Sequence, residues 1–317
     1  MRRIFLFLLG FTCWSVLAQD YPARPVRMLV PNAPGSSVDT MSRILSTRLG
    51  EMLGGSVVVE NRDGAGGLIG MEVGRSARPD GYTLICVSNG SLLIAPQLKK
   101  TPPYDALHDF AHIGTYAVTP NVLVVNPQLP VQSVKELIDY ARANRATINM
   151  ASAGIGSQSH LAGVLLMTMS GMESLHVPHK GGGPSVNSVV GGQTHWTMVP
   201  APAAMSFVKN GRLRAIGHSL PRRSALLAEL QPVAESVPGY DFSGWAGLVA
   251  PKDTPKALID KVHAAMVKAL GTAEVREGLA AQGAEVFAGS PEEFRTFLRQ
   301  EIDNTVRVIK AAQLQPE

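Results

Sequence analysis

Two segments of the chain repeat one pattern. Val30-Pro31-Asn32-Ala33-Pro34-Gly35-Ser36-Ser37-Val38-Asp39 and Ala151-Ser152-Ala153-Gly154-Ile155-Gly156-Ser157-Gln158-Ser159-His160 each pass from a short apolar strand through a glycine- and serine-rich turn into an apolar-periodic helix. The first of them opens a β-α-β-α-β series: strand Val26 to Val30, helix Val38 to Leu53, strand Val57 to Val59, helix Leu68 to Ala77, strand Tyr82 to Val87. That order implies parallel strands joined by right-handed crossovers. Each turn also leaves bare N–H groups at a helix start, which favours an anion in front of it. Two such turns about 120 residues apart suggest two lobes gripping one acidic ligand.

The second block reads in the same α/β manner. Strands are expected at Val122 to Val125, Ile148 to Ala151, His176 to Pro178, Thr194 to Val199 and Ala215 to Ser219. Helices are expected from Ser133, with capping-box spacing to Glu136, to about Asn144, and over Gln158 to Thr168 and Pro184 to Val190. After a strand at Trp245 to Ala250, helices dominate: Pro255 to Leu270, Ala273 to Gln282 and Pro291 to about Ala312. Thr254-Pro255 and Ser290-Pro291 read as cap-plus-proline starts. The first and last thirds can share one lobe around an α/β middle third.

The N-terminus points to export. Arg2 and Arg3 precede the apolar run Ile4 to Phe11, and Val16-Leu17-Ala18 offers a small-residue cleavage site, so residues 1–18 read as a signal peptide cut before Gln19. Later apolar runs fall short of the ~18 residues of a spanning helix, so no direct membrane insertion is expected. Cleavage removes two arginines and no acid, taking the formal charge from +4 to +2. That balance is too weak to argue for nucleic acid. Cys13 leaves with the signal, and Cys86 sits in the apolar run Thr83 to Val87, where it reads as a buried small hydrophobe.

Motifs for chemistry are weak. His108 and His112 have zinc-helix spacing, but the stretch runs into a strand-like segment and lacks a third ligand, so no metal is expected. No Gly-x-Ser-x-Gly elbow occurs, and Ser157 with His160 reads as a helix cap beside a ligand donor rather than a catalytic pair. Gly64-Ala65-Gly66-Gly67 reads as a turn ahead of a helix, not a dinucleotide loop, so no cofactor is expected. Trp245 reads as hinge or cleft-wall packing. The helix Phe294 to Ile309 reads first as core packing.

Many short motifs in order resemble the periplasmic substrate-binding proteins of tripartite tricarboxylate transporters, the Bug family. They include Val30-Pro31 with Pro34-Gly35 and Asp39, Val57-Val58-Val59-Glu60-Asn61-Arg62 with Gly64-Ala65-Gly66-Gly67, and Pro79-Asp80-Gly81-Tyr82-Thr83-Leu84. Pro120 to Pro127, Ala151-Ser152-Ala153-Gly154, Ser159-His160-Leu161-Ala162-Gly163, Lys180-Gly181, Gly191-Gly192-Gln193 and Pro291-Glu292-Glu293-Phe294 continue the series. The resemblance implies a two-lobed α/β fold of the type II-like periplasmic-binding-protein kind, its cleft between lobes joined by crossing strands. Lobe I is expected over 20–119 plus 240–317 and lobe II over 120–239.

The resemblance further implies a small carboxylate held by backbone amides and water from the two opening loops. Carried over here, these are Pro34, Gly35, Ser36 and Ser37 in one lobe and Ala153, Gly154, Ile155, Gly156, Ser157 and Ser159 in the other. Ser88, Asn89, His160 and Val199 complete the expected binding set. Three departures from the family pattern matter. Ser36 and Ser37 replace glycine. Val199 and His195 stand where acids are common, which favours a di- or tricarboxylate, hydroxy or aromatic acid without an ammonium group. His179 replaces a tyrosine and makes the rim more polar. A monomer that docks on membrane permease subunits is expected, with a signalling receptor and a secreted ester hydrolase as the alternative roles.

Overall fold

A computed structural model describes residues 21–145 and 147–316; the expected signal peptide lies outside them. The chain opens with β1 (Val26–Val30), α1 (Ser37–Leu53), β2 (Val57–Asn61), α2 (Leu68–Arg75) and β3 (Thr83–Ser88). β2 and β3 flank β1, both parallel to it, as the β-α-β-α-β reading requires. A π-helical turn, Asn89–Ile94, runs into the short α3 (Ala95–Gln97) and then β4 (Phe110–Thr119). Pro120 alone separates β4 from β5 (Asn121–Val125), which begins the second sheet.

That sheet is built with α4 (Val134–Ala143), β6 (Asn149–Ser152), α5 (Gln158–Ser170), β7 (Leu175–Pro178), α6 (Gly182–Val190), β8 (Trp196–Pro200), α7 (Ala201–Lys209) and β9 (Arg214–His218). The chain returns through β10 (Gly244–Pro251), α8 (Lys256–Leu270), α9 (Ala273–Ala281), β11 (Glu285–Val286) and α10 (Pro291–Ala311). Strand order is β11-β4-β10-β3-β1-β2 in the first sheet and β7-β6-β8-β5-β9 in the second. β10 lies antiparallel between β3 and β4, so the strands that leave and re-enter the first lobe are hydrogen-bonded neighbours. This is the two-lobed α/β architecture with crossing strands.

Both faces of each sheet are covered, which explains the continuous apolar strands. On β3, Leu84 and Cys86 pack with Leu45, Leu49 and Met266 on the α1/α8 side. Ile85 and Val87 point the other way, onto Met71, Trp245, Phe294 and Leu298. In the second sheet Leu123 and Val125 join Met150, Trp196 and Met198, while Val122 and Val124 face Val186 and Val199. Three pieces cross between lobes: Ile94 after β3, Tyr240 and Phe242 ahead of β10, and Val308 and Ile309 near the end of α10 are buried in the second-lobe core.

Asn121, at the crossing, ties the lobes together. Its Nδ2 donates to Phe242 O at 2.6 Å, and its Oδ1 accepts from Gln158 Nε2 at 3.2 Å. Its N–H donates to Ser219 Oγ at 2.9 Å, and the Ser219 and Ser243 hydroxyls lie 2.9 Å apart. Cys86 is buried, and burial pushes its thiol up to about 12.

Some local expectations need correction. Thr254 does not cap α8: its hydroxyl donates to Pro251 O at 2.7 Å, and Pro255 holds the N-cap position. Ser133 caps α4, but Glu136 takes the Gln132 N–H, so the box is only half closed. Ser290 and Glu293 do form a full box on α10. α7 is not among the expected helices: it follows β8 with no linker, and Pro202 in its first turn is the one local sign of it.

Gly70 on α2 fixes how closely that helix approaches the cleft wall. A Cβ there would stand 2.3 Å from Arg62 O and 2.7 Å from Pro31 Cα, both backbone atoms that cannot swing aside. Gly70→Ala is therefore expected to lower stability by about 2–3 kcal/mol, the range of buried over-packing. Urea unfolding measures it, and an unchanged midpoint would contradict this packing.

Candidate functional site

The two opening turns fold into the same structure. In the first, Gly35 takes φ +77°, a conformation that favours glycine, and Ser36 caps α1 with φ −69° and ψ 161°. Ser36 N–H closes a turn on Ala33 O at 3.1 Å, and its hydroxyl accepts the Asp39 N–H at 3.3 Å. The second turn repeats each step: Gly156 at φ +75°, Ser157 capping α5 with φ −68° and ψ 160°, Ser157 N–H on Gly154 O at 3.1 Å, and Ser157 Oγ accepting His160 N–H at 3.2 Å.

The third helical residue then reaches back. Asp39 Oδ2 accepts the Gly35 N–H at 2.9 Å, and His160 Nδ1 accepts the Gly156 N–H at 3.1 Å. Burial alone would raise the Asp39 carboxyl, but hydrogen bonds from Arg43, Gly35 and Asn61 outweigh it and hold its pKa below the usual value. For His160, burial first and the neighbouring His176 second push the imidazole down to about 4, so it is neutral at ordinary pH.

These bonds decide which donors remain. The amides of Gly35, Ser36, Gly156 and Ser157 are spent within the turns, as above. The Ala153 N–H goes to Ser159 Oγ at 2.8 Å and the Gly154 N–H to Ser152 Oγ at 3.1 Å. Among the described residues, the N–H groups of Ser37 and Val38 on α1 and of Gln158 and Ser159 on α5 have no protein partner. They occupy the first two positions of each helix, where no intrahelical acceptor exists.

All four residues line one cavity of about 500 Å³ between the lobes. Of the expected set, Ser36, Ser37, Ser88, Ala153 and Gly154 also face it or share its wall, as do Ile155, Gly156, Ser157, Ser159 and Val199. Four do not. Pro34 is exposed on the outside of its turn, and Gly35 is folded onto Asp39. Asn89 turns to the hinge, its Nδ2 on Ser243 O at 3.4 Å and its Oδ1 accepting the Gly90 N–H at 3.1 Å. His160 lies behind its loop, stacked on His176 with ring centroids 4.1 Å apart.

Sequence reasoning missed another part of the wall. Asp63 to Gly67 lines the cavity, with positive φ at four successive residues, Gly64, Ala65, Gly66 and Gly67. The glycine run is the signal for it, and as a bare turn motif it does not tell a cavity wall from a connection. From the second lobe, His179 to Gly182, Pro200 and Ala203 contribute. Gly67, Gly181 and Pro200 are the N-cap residues of α2, α6 and α7. Five helices, α1, α2, α5, α6 and α7, thus aim their N-terminal ends at one space. Each such end carries roughly half a positive charge. The charged side chains among the lining residues are Asp63 and Lys180, one of each sign, so the positive field is a backbone property.

Other flagged residues lie elsewhere. His112 sits in β4 with Nε2 2.8 Å from Ala106 O, while His108 is exposed in the preceding turn. His195 is paired with Asn149, with 2.9 Å between Nδ1 and Oδ1. Trp245 is buried in β10, donating to Glu301 Oε2 at 2.9 Å, on the hinge side rather than in the main cavity. Among the described residues no helix is long and apolar enough to cross a membrane.

Comparison with known proteins gives the family and the fold. Residues 41–314 match the model of the tripartite tricarboxylate transporter family receptor. Protein BugT of Bordetella pertussis is 34% identical over 309 residues, covering 97% of this chain and 94% of that protein. A Rhodopseudomonas palustris protein solved with adipate superposes with a TM-score of 0.90 at 32% identity, covering 94% of this chain and all of that one. MatC from the same organism, with bound malate, gives 0.85 at 28% identity, covering 91% of this chain and all of that one. The chain belongs to the tripartite tricarboxylate transporter receptor family, the periplasmic solute-binding proteins that include the Bug proteins.

Proposed function

We propose that the protein captures a small carboxylate in the periplasm and presents it to the permease subunits of a tripartite tricarboxylate transporter. The observation that carries this reading is the set of four unpartnered N–H groups, two from each lobe, at the mouths of α1 and α5. Neutral amides hold an anion without the desolvation cost of a buried lysine or arginine. Because the donors come from both lobes, a carboxylate between them favours the closed arrangement and shifts the population toward it. Residues 20–119 with 240–317 form lobe I and 120–239 lobe II, in keeping with the two sheets, and α10 braces both.

The ligand class is a di- or tricarboxylate, hydroxy or aromatic acid without an ammonium group. Val199 gives the wall an apolar side chain where an amine would need an acceptor, and relatives solved with adipate and malate favour dicarboxylates. A second reading is favoured by Asp63, the one carboxylate on the cavity wall among the described residues, which would pair with an amino acid's ammonium group. Asp63 is exposed, where such a pair contributes little.

Thermal unfolding of the mature protein against adipate, malate, their amides and amino acids tests both. A ligand at about 100 times its Kd adds roughly 2.7 kcal/mol, a shift of several degrees for a chain of this size. Shifts with the acids and not with the amides are expected. Stabilisation by amino acids alone would transfer the assignment to Asp63, and equal shifts from acids and amides would remove the anion from the account.

A further inference from the structure

The two turns share their glycine, their capping serine and their pattern of hydrogen bonds, but the residue that locks each of them is chemically different. In lobe I the lock is Asp39, whose charge is shared with Arg43 Nε at 3.0 Å and Asn61 Nδ2 at 2.9 Å. In lobe II it is His160, which has neither arginine nor asparagine on it and instead stacks on His176. His176 is held in turn by the Ser152 hydroxyl, 2.6 Å from its Nε2, and Ser152 Oγ also accepts the Gly154 N–H. The lock, the stacked ring and the loop are therefore one connected unit behind the cavity wall.

We propose that His160 is a positioning residue for ligand capture: its neutral imidazole accepts the Gly156 N–H at Nδ1 and so holds the turn in the form that leaves the Gln158 and Ser159 N–H groups bare. The proposal rests on the reading of the cavity as an anion site, and it assigns His160 no contact with the ligand. Its chemistry follows from the acceptor. Only the tautomer with hydrogen on Nε2 can accept at Nδ1. A protonated ring would lose the bond to Gly156. A carboxylate at 160 could lock the turn, as Asp39 does, but would stand without a counter-charge close to the bound anion. A neutral acceptor meets both conditions.

The test has a part that needs no ligand. In ¹⁵N-labelled protein, the His160 ring is expected to show an unprotonated Nδ1 from pH 8 to about 5, with scalar coupling to the Gly156 amide across the hydrogen bond. A proton on Nδ1 in that range overturns the proposal whatever the protein binds. The titratable groups that face the ring are His176 on β7 and, through it, His179, so H176N is recorded alongside to assign any transition.

The second part is calorimetry with adipate and malate. His160→Asn keeps a neutral acceptor of the length that already reaches the equivalent glycine in lobe I, and is expected to bind within about 5-fold of wild type. His160→Ala and His160→Asp are expected to weaken binding by about 10-fold or more, the first through loss of the lock and the second through charge. Between pH 6 and 4, wild type should lose affinity faster than His160→Asn, which has no titrating group at 160. Equal affinity of the alanine and asparagine variants, with both folded by circular dichroism, would sink the positioning role. If neither acid binds wild type, the ligand assignment fails while the ring measurement still decides the role of His160.

Discussion

Ser37→Pro combined with Gln158→Pro is expected to weaken carboxylate binding by at least about 100-fold in a protein that stays folded. Both residues hold the first helical position, the one place where proline is accepted because its missing N–H has no intrahelical partner. The residues before them, Ser36 at ψ 161° and Ser157 at ψ 160°, already have the extended conformation that a following proline demands. No protein hydrogen bond from either N–H is lost, so fold stability is largely spared. What is lost is one donor per lobe, and a hydrogen bond to a charged group contributes about 1.5–3 kcal/mol.

Two such losses come to about 3–6 kcal/mol, at or beyond a 100-fold change in Kd. Ser37→Ala and Gln158→Ala are the matching controls. They remove the side chains, including the Gln158 bond to Asn121, while keeping both N–H groups, and should bind nearly as wild type. Calorimetry against adipate or malate reads the difference. Wild-type affinity in the double proline variant would mean that the helix starts are not the anion site.

Phe294→Ala is the largest stability change expected, about 3–5 kcal/mol by urea unfolding. Phe294 is fully buried in the first turn of α10, with its ring edge-on to His112 and to Trp245, centroids 5.6 Å apart in each case. The fit on β10 is close: a Cβ on Gly247 would stand 2.7 Å from the Phe294 ring. Truncation leaves a void against β4 and β10, the two strands that carry the chain between lobes, where backbone pairing on both sides resists collapse. Because the same helix buries Val308 and Ile309 in the second lobe, ligand-induced closure should also become less cooperative. A loss below 1 kcal/mol would show that this end of α10 is not part of the core.

Much of the architecture was legible along the chain. Of the apolar stripe Val38, Met41, Leu45, Leu49 and Met52, the first four are on the buried face of α1, and Met52 in its last turn is exposed. The serine caps Ser133, Ser157 and Ser290 stand where the helices begin. The parallel opening and the return to the first lobe at Trp245 follow from element order. These signals act over a few residues: a cap bonds three positions ahead, and a strand or helix face repeats every two or every three to four. The ordered motifs added the family, and with it the two loops.

Tertiary structure decided the rest, because the deciding contacts are long-range or depend on the sign of φ. Gly35 and Gly156 were expected to offer N–H groups to the ligand. Their left-handed conformations turn those groups onto Asp39 and His160, while the N–H groups of Ser37, Val38, Gln158 and Ser159 stay without a protein partner. Asn89 follows a strand that ends at the cleft, yet the crossing of β10 draws its side chain to the hinge. That α2, α6 and α7 join α1 and α5 around one space follows from strand order within two sheets and from how the crossing strands set the sheets against each other. No local pattern encodes either. The sequence by itself determined the family and most elements and serine caps, α7 and the start of α8 excepted; the packing of two lobes determined which backbone groups are left bare, since a donor is free only when every acceptor within reach is already taken.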